Sequence, residues 1–194
     1  MKVRDSGMPD EQLWATFFDA PGILDKLSCD DPRADVVEIG CGYGTFTVAA
    51  AARTTGTVYA LDLEPAMIAE TQRKAEATGA RNVQTRLRDF VAEGTGLPDN
   101  SVGYAMLFNI LHAENPISLL QEAFRVVRSG GKVAVIHWNY DACTPRGPDL
   151  SIRPRPEQCR DWLVSAGFEL ILSHVDLPPF HYGLVGRRPL DKRP

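Results

Sequence analysis

The feature that most constrains this chain is a glycine-rich turn between a short apolar strand and a helix. Val36–Ile39 is typical of a buried strand, and the alanine-rich stretch Thr45–Arg53 is typical of a helix. The connection between them is Glu38-Ile39-Gly40-Cys41-Gly42-Tyr43-Gly44. Glycines at these positions let the backbone turn sharply and approach a bound molecule closely. The sequence therefore predicts a ligand site at the end of a strand in an α/β fold.

Strand and helix patterns alternate along the following chain. Val102–Phe108 is an almost uninterrupted apolar run, as expected of a strand buried on both faces of a parallel sheet. The last two strand-like runs have a short connection through Pro178 and Pro179, which favours an antiparallel pair because parallel strands need a long crossover. The predicted strands are Val36–Ile39, Thr57–Leu61, Val83–Leu87, Val102–Phe108, Lys132–Ile136, Phe168–Val175 and His181–Arg187.

The length and composition fit one domain. A chain of 194 residues with 44% hydrophobic residues can bury one sizeable core, and two halves would each be marginal. We expect a single domain over residues 1–194. Its predicted parts are an N-terminal helical lid (1–34), a ligand-binding core (35–140), a substrate-side loop (141–156), a C-terminal helix and strand pair (157–187) and a disordered tail (188–194).

Charge and composition exclude several classes of partner. The formal net charge of -4 gives no reason to expect a nucleic-acid partner, which requires clustered Lys and Arg. Residues 1–10 lack the apolar run of a signal peptide, and no later run is long enough to span a bilayer. The 4 cysteines lack the spacing of a zinc site or a disulfide framework. We therefore expect a cytoplasmic protein without a metal, and its oligomeric state stays open, with a homodimer as one alternative.

Acidic residues accompany the first three predicted strands. Asp62 ends the second strand, where a carboxylate can accept hydrogen bonds from both hydroxyls of a ribose. Glu38 precedes the first glycine and can reach the ammonium end of an amino-acid moiety. Asp89 follows the third strand and can accept a hydrogen bond from an exocyclic amine. The ribose, the ammonium group and the exocyclic amine of a ligand are therefore expected at the same edge of the sheet.

These motifs, in this order, resemble those of the class I S-adenosylmethionine-dependent methyltransferases. The matching segments are Glu38 to Gly44, Leu61-Asp62-Leu63-Glu64 with Met67, Arg88-Asp89-Phe90, Leu97-Pro98-Asp99-Asn100-Ser101 and Arg125-Val126-Val127-Arg128-Ser129-Gly130-Gly131. Within that class the chain is most similar to the ubiquinone- and menaquinone-biosynthesis type of small-molecule methyltransferase. The resemblance implies a Rossmann-like, doubly wound and mostly parallel seven-stranded sheet, with an antiparallel edge strand and helices on both faces.

The resemblance also implies how S-adenosylmethionine is bound. The three glycines of the turn would lie behind its methionine portion. Asp62 would hold its ribose, and Asp89 with Phe90 would contact its adenine. The complete predicted cofactor site consists of Glu38, Gly40, Cys41, Gly42, Gly44, Asp62, Leu63, Asp89, Phe90 and Asn109.

The acceptor, a small organic molecule, is expected beyond the fourth and fifth strands, because open α/β sheets bind ligands outside the carboxyl ends of their strands. Methyl transfer is an in-line displacement in which the protein mainly aligns the acceptor and excludes water. His112 and His137 are the candidate catalytic residues, since imidazole can act as a general base near neutral pH. A structural hydrogen bond is the alternative role for each.

Two further segments are candidates for the acceptor side. The arginine-rich segment after the fifth strand contains Arg146, Arg153, Arg155 and Arg160. An arginine there can pair with a carboxylate or phosphate of the substrate, whereas a solvated surface is the other interpretation. The pocket roof is expected from the N-terminal aromatic residues Trp14, Phe17 and Phe18, from loop 141–156, or from a second subunit.

Other functions remain open on the sequence. A non-catalytic S-adenosylmethionine-binding or regulatory protein would keep the glycine turn and Asp62 but would need no acceptor pocket. A nicotinamide-dependent oxidoreductase would share the turn, but Thr45 replaces the last glycine of the dinucleotide motif, and Asp89 would have no role. Arsenite methylation would need converging thiolates, for which Cys143 and Cys159 are the candidates.

Overall fold

The computed structural model describes residues 9–191, and the predictions made for residues 1–8 and 192–194 lie outside that range. Its strands are β1 (Val36–Ile39), β2 (Val58–Asp62), β3 (Val83–Leu87), β4 (Val102–Phe108), β5 (Val127–Trp138), β6 (Glu169–Leu177) and β7 (His181–Arg187). Its helices are α1 (Glu11–Ala15), α2 (Ala20–Lys26), α3 (Thr45–Ala51), α4 (Pro65–Thr78), α5 (Phe90–Glu93), α6 (Pro116–Val126) and α7 (Pro156–Ser165).

The strands form one 7-stranded sheet in the order β3-β2-β1-β4-β5-β7-β6. Strands β1 to β5 pair in parallel, and β7 runs antiparallel to both β5 and β6. The predicted mostly parallel seven-stranded sheet is confirmed, with the reversed strand lying one place in from the β6 edge. Because β7 is reversed, its first residue, His181, pairs with Trp138, the last residue of β5. Both residues therefore lie at the carboxyl edge of the parallel strands.

The central strands are buried on both faces because alternate side chains point to opposite sides of a strand. In β4, Ala105 and Leu107 belong to a core cluster shared with α6 and α7. Tyr104, Met106 and Phe108 belong to a second cluster shared with α2 and α3. Helices therefore cover both faces of the sheet, which explains why the sequence of β4 is almost uninterruptedly apolar.

Strand β5 begins earlier than predicted, at Val127 instead of Lys132. The glycine-rich run Ser129-Gly130-Gly131 is typical of a loop, yet it lies inside this strand. Pairing with β4 is irregular here, and a Cβ on Gly131 would lie only 2.9 Å from the carbonyl oxygen of Gly103. Glycine is therefore needed for a close approach of two backbones at an irregular pairing.

The C-terminal end of the described chain is anchored to the core. The Arg188 guanidinium donates hydrogen bonds of 2.8 Å to the carbonyl oxygens of Phe124 and Val127. It also lies over the Phe124 ring, 4.6 Å from its centroid. The prediction of a disordered tail is therefore wrong for residues 188–191.

The N-terminal aromatic residues pack at the same sheet edge as Trp138 and His181. Phe17 is buried and contacts Trp138 edge to face, with 5.4 Å between ring centroids. Phe18 contacts Phe46 of α3 at 5.2 Å. The segment predicted as a lid is thus joined to the core by aromatic contacts.

Candidate functional site

The glycine turn follows β1 where the strand order diverges, with β2 on one side and β4 on the other. Open α/β sheets bind ligands in the crevice at such a switch point. The N–H groups of Gly40 and Cys41 both donate to the Leu61 carbonyl oxygen at 2.9 Å, which fixes the turn to β2. Gly40 has a φ of +80°, and a Cβ there would lie 2.9 Å from the Ile110 side chain. This position therefore requires glycine for both its conformation and its space.

Gly44 allows α3 to approach α4 closely. It precedes α3 with a φ of +72°, and an added Cβ would lie 2.8 Å from Oγ1 and 3.0 Å from Cα of Thr71 in α4. A backbone atom cannot move aside as a flexible side chain can. The glycine is therefore needed to pack these two helices beside the turn.

Gly44→Ala is expected to lower the free energy of unfolding by about 2 to 3 kcal/mol, because a left-handed alanine costs about 1 to 2 kcal/mol and the overlap with α4 adds to it. Gly79→Ala is the matched control, since Gly79 has a φ of +70° but no atom within 4 Å of an added Cβ. The control is expected to cost about 1 kcal/mol. If urea denaturation shows that both variants lose the same free energy of unfolding, the overlap with α4 does not contribute.

Asp62 ties the glycine turn to the loop that follows β2. Its Oδ2 accepts a hydrogen bond from the Gly42 N–H at 2.8 Å, and its Oδ1 accepts one from the Glu64 N–H at 3.0 Å. Burial raises the pKa of this carboxyl, and the backbone hydrogen bonds oppose that rise. A carboxylate can accept about four hydrogen bonds. Asp62 can therefore hold the turn and still accept from a bound hydroxyl group.

Glu38 is a buried acid in β1, with 2% of its surface exposed. It accepts a hydrogen bond from the Thr47 hydroxyl of α3. Burial raises the pKa of Glu38 to about 8; the negative charge of Asp62 adds to the rise, and the Thr47 bond opposes it. Glu38 therefore keeps its proton at neutral pH unless a cation compensates the carboxylate.

Asp89 and Phe90 lie at the start of α5. Oδ1 of Asp89 accepts hydrogen bonds from the N–H groups of Val91 and Ala92, at 3.1 and 2.9 Å. The Phe90 ring is buried, and its Cζ is 3.9 Å from the position of a Cβ on Gly40. The structure therefore brings Phe90, which is predicted to contact the adenine, close to the glycine turn.

Cys41 and Leu63 are packing residues of the same edge. The Cys41 thiol is buried, with Sγ 3.5 Å from the Thr71 hydroxyl oxygen, and burial raises its pKa. A buried thiol with a raised pKa is a poor nucleophile. Leu63 packs against the core cluster on the α6 side of the sheet. Both side chains shape the site without offering a reactive group.

Asn109 presents an unpaired amide beside the turn. It follows β4 with a φ of +58°, and its Oδ1 and Nδ2 are both buried without a hydrogen-bond partner among residues 9–191. The buried Thr45 hydroxyl at the start of α3 also lacks a partner in that range. An unpaired buried polar group costs about 1 to 3 kcal/mol. A polar ligand at this edge would remove that cost.

A cleft of about 370 Å³ lies on the other side of the loop that follows β4. This loop, loop 141–156 and α7 form its walls. Its lining includes Leu111, His112, Glu114, Tyr140, Ile152 and Trp162. The loop after β4 therefore connects the glycine turn to the cleft. Its residue Ile110 packs against Gly40, and the next two residues, Leu111 and His112, line the cleft.

The two predicted catalytic histidines differ in access to this cleft. His112 lines it, and its ring centroid is 5.6 Å from that of His137. His137 is 0% exposed and is not among the lining residues; burial lowers its pKa well below the ordinary value. Its Nδ1 accepts the Trp138 N–H at 3.0 Å, so the neutral ring carries its proton on Nε2. A bound acceptor would therefore meet His112 first.

His181 is a third histidine at this edge, which nothing in the sequence singles out. It is 2% exposed, and its ring lies 4.5 Å from that of Phe18 and 4.2 Å from that of Trp138. Burial lowers the pKa of His181 to about 3. Its position depends on the antiparallel register of β7, which a local sequence pattern does not encode.

Arg153 holds loop 141–156 together from the inside. Its guanidinium donates to the carbonyl oxygens of Asn139 and Pro148 at 2.9 and 2.8 Å, and to the Thr144 hydroxyl at 2.6 Å. The residue is 7% exposed. The interpretation as a solvated arginine is therefore wrong for Arg153, and its hydrogen bonds within the loop leave it less available to a substrate anion.

The other arginines of this segment lie at the surface. Arg160 forms an ion pair with Glu157 at 2.9 Å. Arg155 lines the cleft, and its guanidinium lies over the Tyr140 ring at 3.6 Å from the centroid. Arg155 is therefore the arginine of this segment that a molecule in the cleft can reach.

Two curated relatives come from Streptomyces. An uncharacterized 37.1 kDa protein in transposon TN4556 of Streptomyces fradiae is 32% identical over 162 residues, which are 78% of this chain and 46% of that protein. The aklanonic acid methyltransferase DauC of Streptomyces sp. (strain C5) is 28% identical over 153 residues, which are 73% of this chain and 69% of that protein. The chain thus spans about half the length of the first relative.

Residues 36–131 match a family described as methyltransferase domain, and this range contains the glycine turn and Asp62. The fold matches the crystal structure of a SAM-dependent methyltransferase from Aquifex aeolicus, with a TM-score of 0.80, 22% identity and coverage of 92% of this chain and 93% of that one. Residues 36–131 therefore form a methyltransferase domain, and the chain has the fold of S-adenosylmethionine-dependent methyltransferases. The predicted class, fold and cofactor are confirmed.

The polar groups of this methyltransferase at the glycine turn fit that cofactor. Glu38 and Asp62 already accept hydrogen bonds within the protein but have lone pairs left for further donors, whereas the buried Asn109 amide has no partner among residues 9–191. S-adenosylmethionine carries an ammonium, a carboxylate, ribose hydroxyls and an adenine. It therefore offers donors to the two carboxyl groups and a partner to the amide.

We expect the affinity for S-adenosylmethionine to rise about fivefold to tenfold between about pH 7 and pH 8.5, because the ammonium group favours ionised Glu38 and the raised pKa keeps Glu38 protonated below about pH 8. Glu38→Gln should remove this rise.

The raised pKa of Glu38 also affects stability in the protein without ligand. The free energy of unfolding should fall as the pH increases from about 4.5 to about 8, and it should fall less in Glu38→Gln.

The exposed Glu76 of α4 supplies the control for this prediction. Calorimetric titrations across the pH range should give the same curve for Glu76→Gln as for the wild type. If the Glu38→Gln protein keeps the full pH dependence, a group other than Glu38 causes it.

The described residues offer no metal site and no membrane span. No group of three or more His, Cys, Asp or Glu side chains in residues 9–191 is arranged to hold a metal ion. Cys159 is buried against Tyr182, whereas Cys143 is exposed, and both are free thiols. Within the same range no helix has the length and apolar character needed to cross a bilayer.

Proposed function

We propose that this methyltransferase is an enzyme that transfers a methyl group from S-adenosylmethionine to a small organic acceptor by in-line displacement. The observation that carries the proposal is the loop after β4, which borders both the glycine turn and the cleft. Ile110 packs against Gly40, and His112 lines the cleft of about 370 Å³. A protein that only bound the cofactor would need the glycine turn but not the cleft.

In this proposal the residues at the glycine turn hold and orient the cofactor. Asp62 accepts hydrogen bonds from the ribose, Glu38 receives the ammonium group, and Asp89 contacts the adenine. The Asn109 amide pairs with a polar group of the methionine portion. When bound, S-adenosylmethionine supplies an electrophilic methyl group together with its sulfur leaving group.

The residues of the cleft align the acceptor and exclude water. Ile152 and Trp162 supply the apolar part of the lining, from which an acceptor displaces water when it binds. Alignment of this kind is the main contribution that a protein makes to a displacement reaction. His112 takes the proton of an acceptor that must lose one, a role that contributes about a hundredfold to ten-thousandfold in rate.

Two observations support a small acceptor. The net charge of -4 does not favour binding of a polynucleotide. The relative DauC is an aklanonic acid methyltransferase, which by its name acts on an organic acid.

The test begins with calorimetric titration of the purified chain with S-adenosylmethionine and, separately, with NADH. Micromolar binding of the first without binding of the second is the expected result. The loaded protein is then incubated with a panel of small phenols, carboxylic acids and amines, and release of S-adenosylhomocysteine is measured. A folded protein that does not bind S-adenosylmethionine would refute the proposal. Binding without turnover on any acceptor would favour a regulatory role.

A further inference from the structure

The cleft contains one arginine, Arg155, that has no acidic partner. Within residues 9–191 Arg155 forms no ion pair with a carboxylate. Arg153 also lines the cleft, but its charge interacts with those of Asp141 and Asp149. The charge of Arg155 is therefore available to an anion.

Arg155 is the residue that can contact such an anion directly. Arg153 donates its hydrogen bonds within loop 141–156, as described above. The Arg155 guanidinium is exposed and lies over the Tyr140 ring, 3.6 Å from its centroid. Stacking on an aromatic ring holds a guanidinium in place, so less conformational entropy is lost when it binds a ligand.

Gln158 provides a second donor next to Arg155. Its Oε1 accepts a hydrogen bond from the Arg155 backbone N–H at 2.9 Å. Because that N–H can only donate, the amide oxygen must face it, and the Nε2 group remains available as a donor. Both residues line the cleft. A carboxylate, with two coplanar acceptor oxygens, matches a planar guanidinium and a neighbouring amide.

This mostly polar cleft also offers some apolar surface beside these donors. Trp162 and Ile152, both half-buried, are among its lining residues. The volume of about 370 Å³ lies within the range of small-molecule sites. An aromatic ring gains more from such walls than an aliphatic chain, because it contacts them over a rigid planar area.

We propose that the acceptor of this cleft is a planar aromatic molecule that carries a carboxylate, with the carboxylate bound by Arg155 and Gln158 and the ring against Trp162. The inference rests on the proposed function, because it names the class of acceptor for the same cleft. It concerns recognition, and leaves the methylated atom unassigned.

The test compares two probes of nearly equal shape, 2-naphthoate and 2-naphthamide, by calorimetric titration of the full chain with and without saturating S-adenosylhomocysteine. In the wild type, 2-naphthoate is expected to bind about tenfold more tightly than the amide, since a charge-assisted hydrogen bond is replaced by a neutral one. Arg155→Gln should abolish this preference, and Arg155→Lys should restore part of it. Arg160→Gln, which alters the surface pair with Glu157, should leave it unchanged.

Equal affinities for the two probes, or an unchanged preference in Arg155→Gln, would overturn the inference. Inorganic phosphate that competes as well as 2-naphthoate would show a general anion site and would also overturn it. The titration with S-adenosylmethionine is independent of these results. Cofactor binding without binding of either probe refutes the acceptor class alone, whereas probe binding without cofactor binding refutes the proposed function.

Discussion

Asp62→Ala is expected to weaken the binding of S-adenosylmethionine by about a hundredfold or more. The carboxylate accepts the backbone N–H groups of Gly42 and Glu64, so its removal releases the glycine turn from the loop after β2. In the proposed complex it also removes the acceptors of the ribose hydroxyls. Hydrogen bonds to a charged group contribute about 1.5 to 3 kcal/mol each, so the loss of two such contacts accounts for the expected change. Calorimetric titration measures it directly.

Asp62→Asn separates the two contributions. Its amide oxygen can accept from the Gly42 N–H, but its amide nitrogen would then face the Glu64 N–H, so one of the two contacts is lost. We expect an affinity between those of the wild type and Asp62→Ala. Glu76→Ala, on the exposed surface of α4, serves as the control for loss of a negative charge. Full affinity in a folded Asp62→Ala protein would show that the cofactor is not held at the end of β2.

Arg153→Met is expected to lower the free energy of unfolding by about 3 to 4 kcal/mol and to loosen loop 141–156. Methionine keeps the buried aliphatic chain but leaves the Pro148 carbonyl oxygen and the Thr144 hydroxyl without their donor. It also removes one of the two donors to the Asn139 carbonyl oxygen, which keeps the Asp141 N–H. The same loop forms a wall of the cleft, so binding of 2-naphthoate should fall while binding of S-adenosylmethionine is kept. Urea denaturation and hydrogen exchange of the loop amides measure the two effects.

Arg160→Met is the matched control for this variant. It removes an exposed pair with Glu157, which contributes about 0 to 1 kcal/mol. Its stability and the exchange of loop 141–156 should therefore stay close to those of the wild type. Wild-type exchange in the Arg153→Met loop would mean that other contacts hold this segment.

The predicted cofactor-binding residues can be located from the sequence because they lie at or just after the ends of strands that the apolar pattern marks. The bounds of β3 and β4 are as predicted; Asn109 comes directly after β4, and Asp89 is the second residue after β3. Neighbouring parallel strands end at one edge of the sheet, so sequence positions far apart become neighbours by a general rule. The arrangement of the turn, including the two N–H groups that Asp62 accepts, still required the structure.

The cleft could not be predicted in the same way. Its walls come from the loop after β4, from loop 141–156 and from α7, and no periodic pattern relates these segments. Arg153 depends on backbone carbonyl groups that an irregular loop brings together, which residue identity does not reveal. His181 lies at the carboxyl edge of the parallel strands because β7 runs in the opposite direction. Its first residue therefore pairs with the last residue of β5. The predicted start of β5, at Lys132, is too late because Gly130 and Gly131 add no apolar side chains to the strand pattern.

The order of the segments along the chain has a consequence for protein engineering. The predicted cofactor residues all precede β5, whereas loop 141–156 and α7, which supply most of the cleft walls, follow it. A single recombination point within β5 would therefore exchange most of the proposed acceptor site and retain the proposed cofactor site. Chimeras of related methyltransferases joined at this strand should inherit their substrate range from the C-terminal parent.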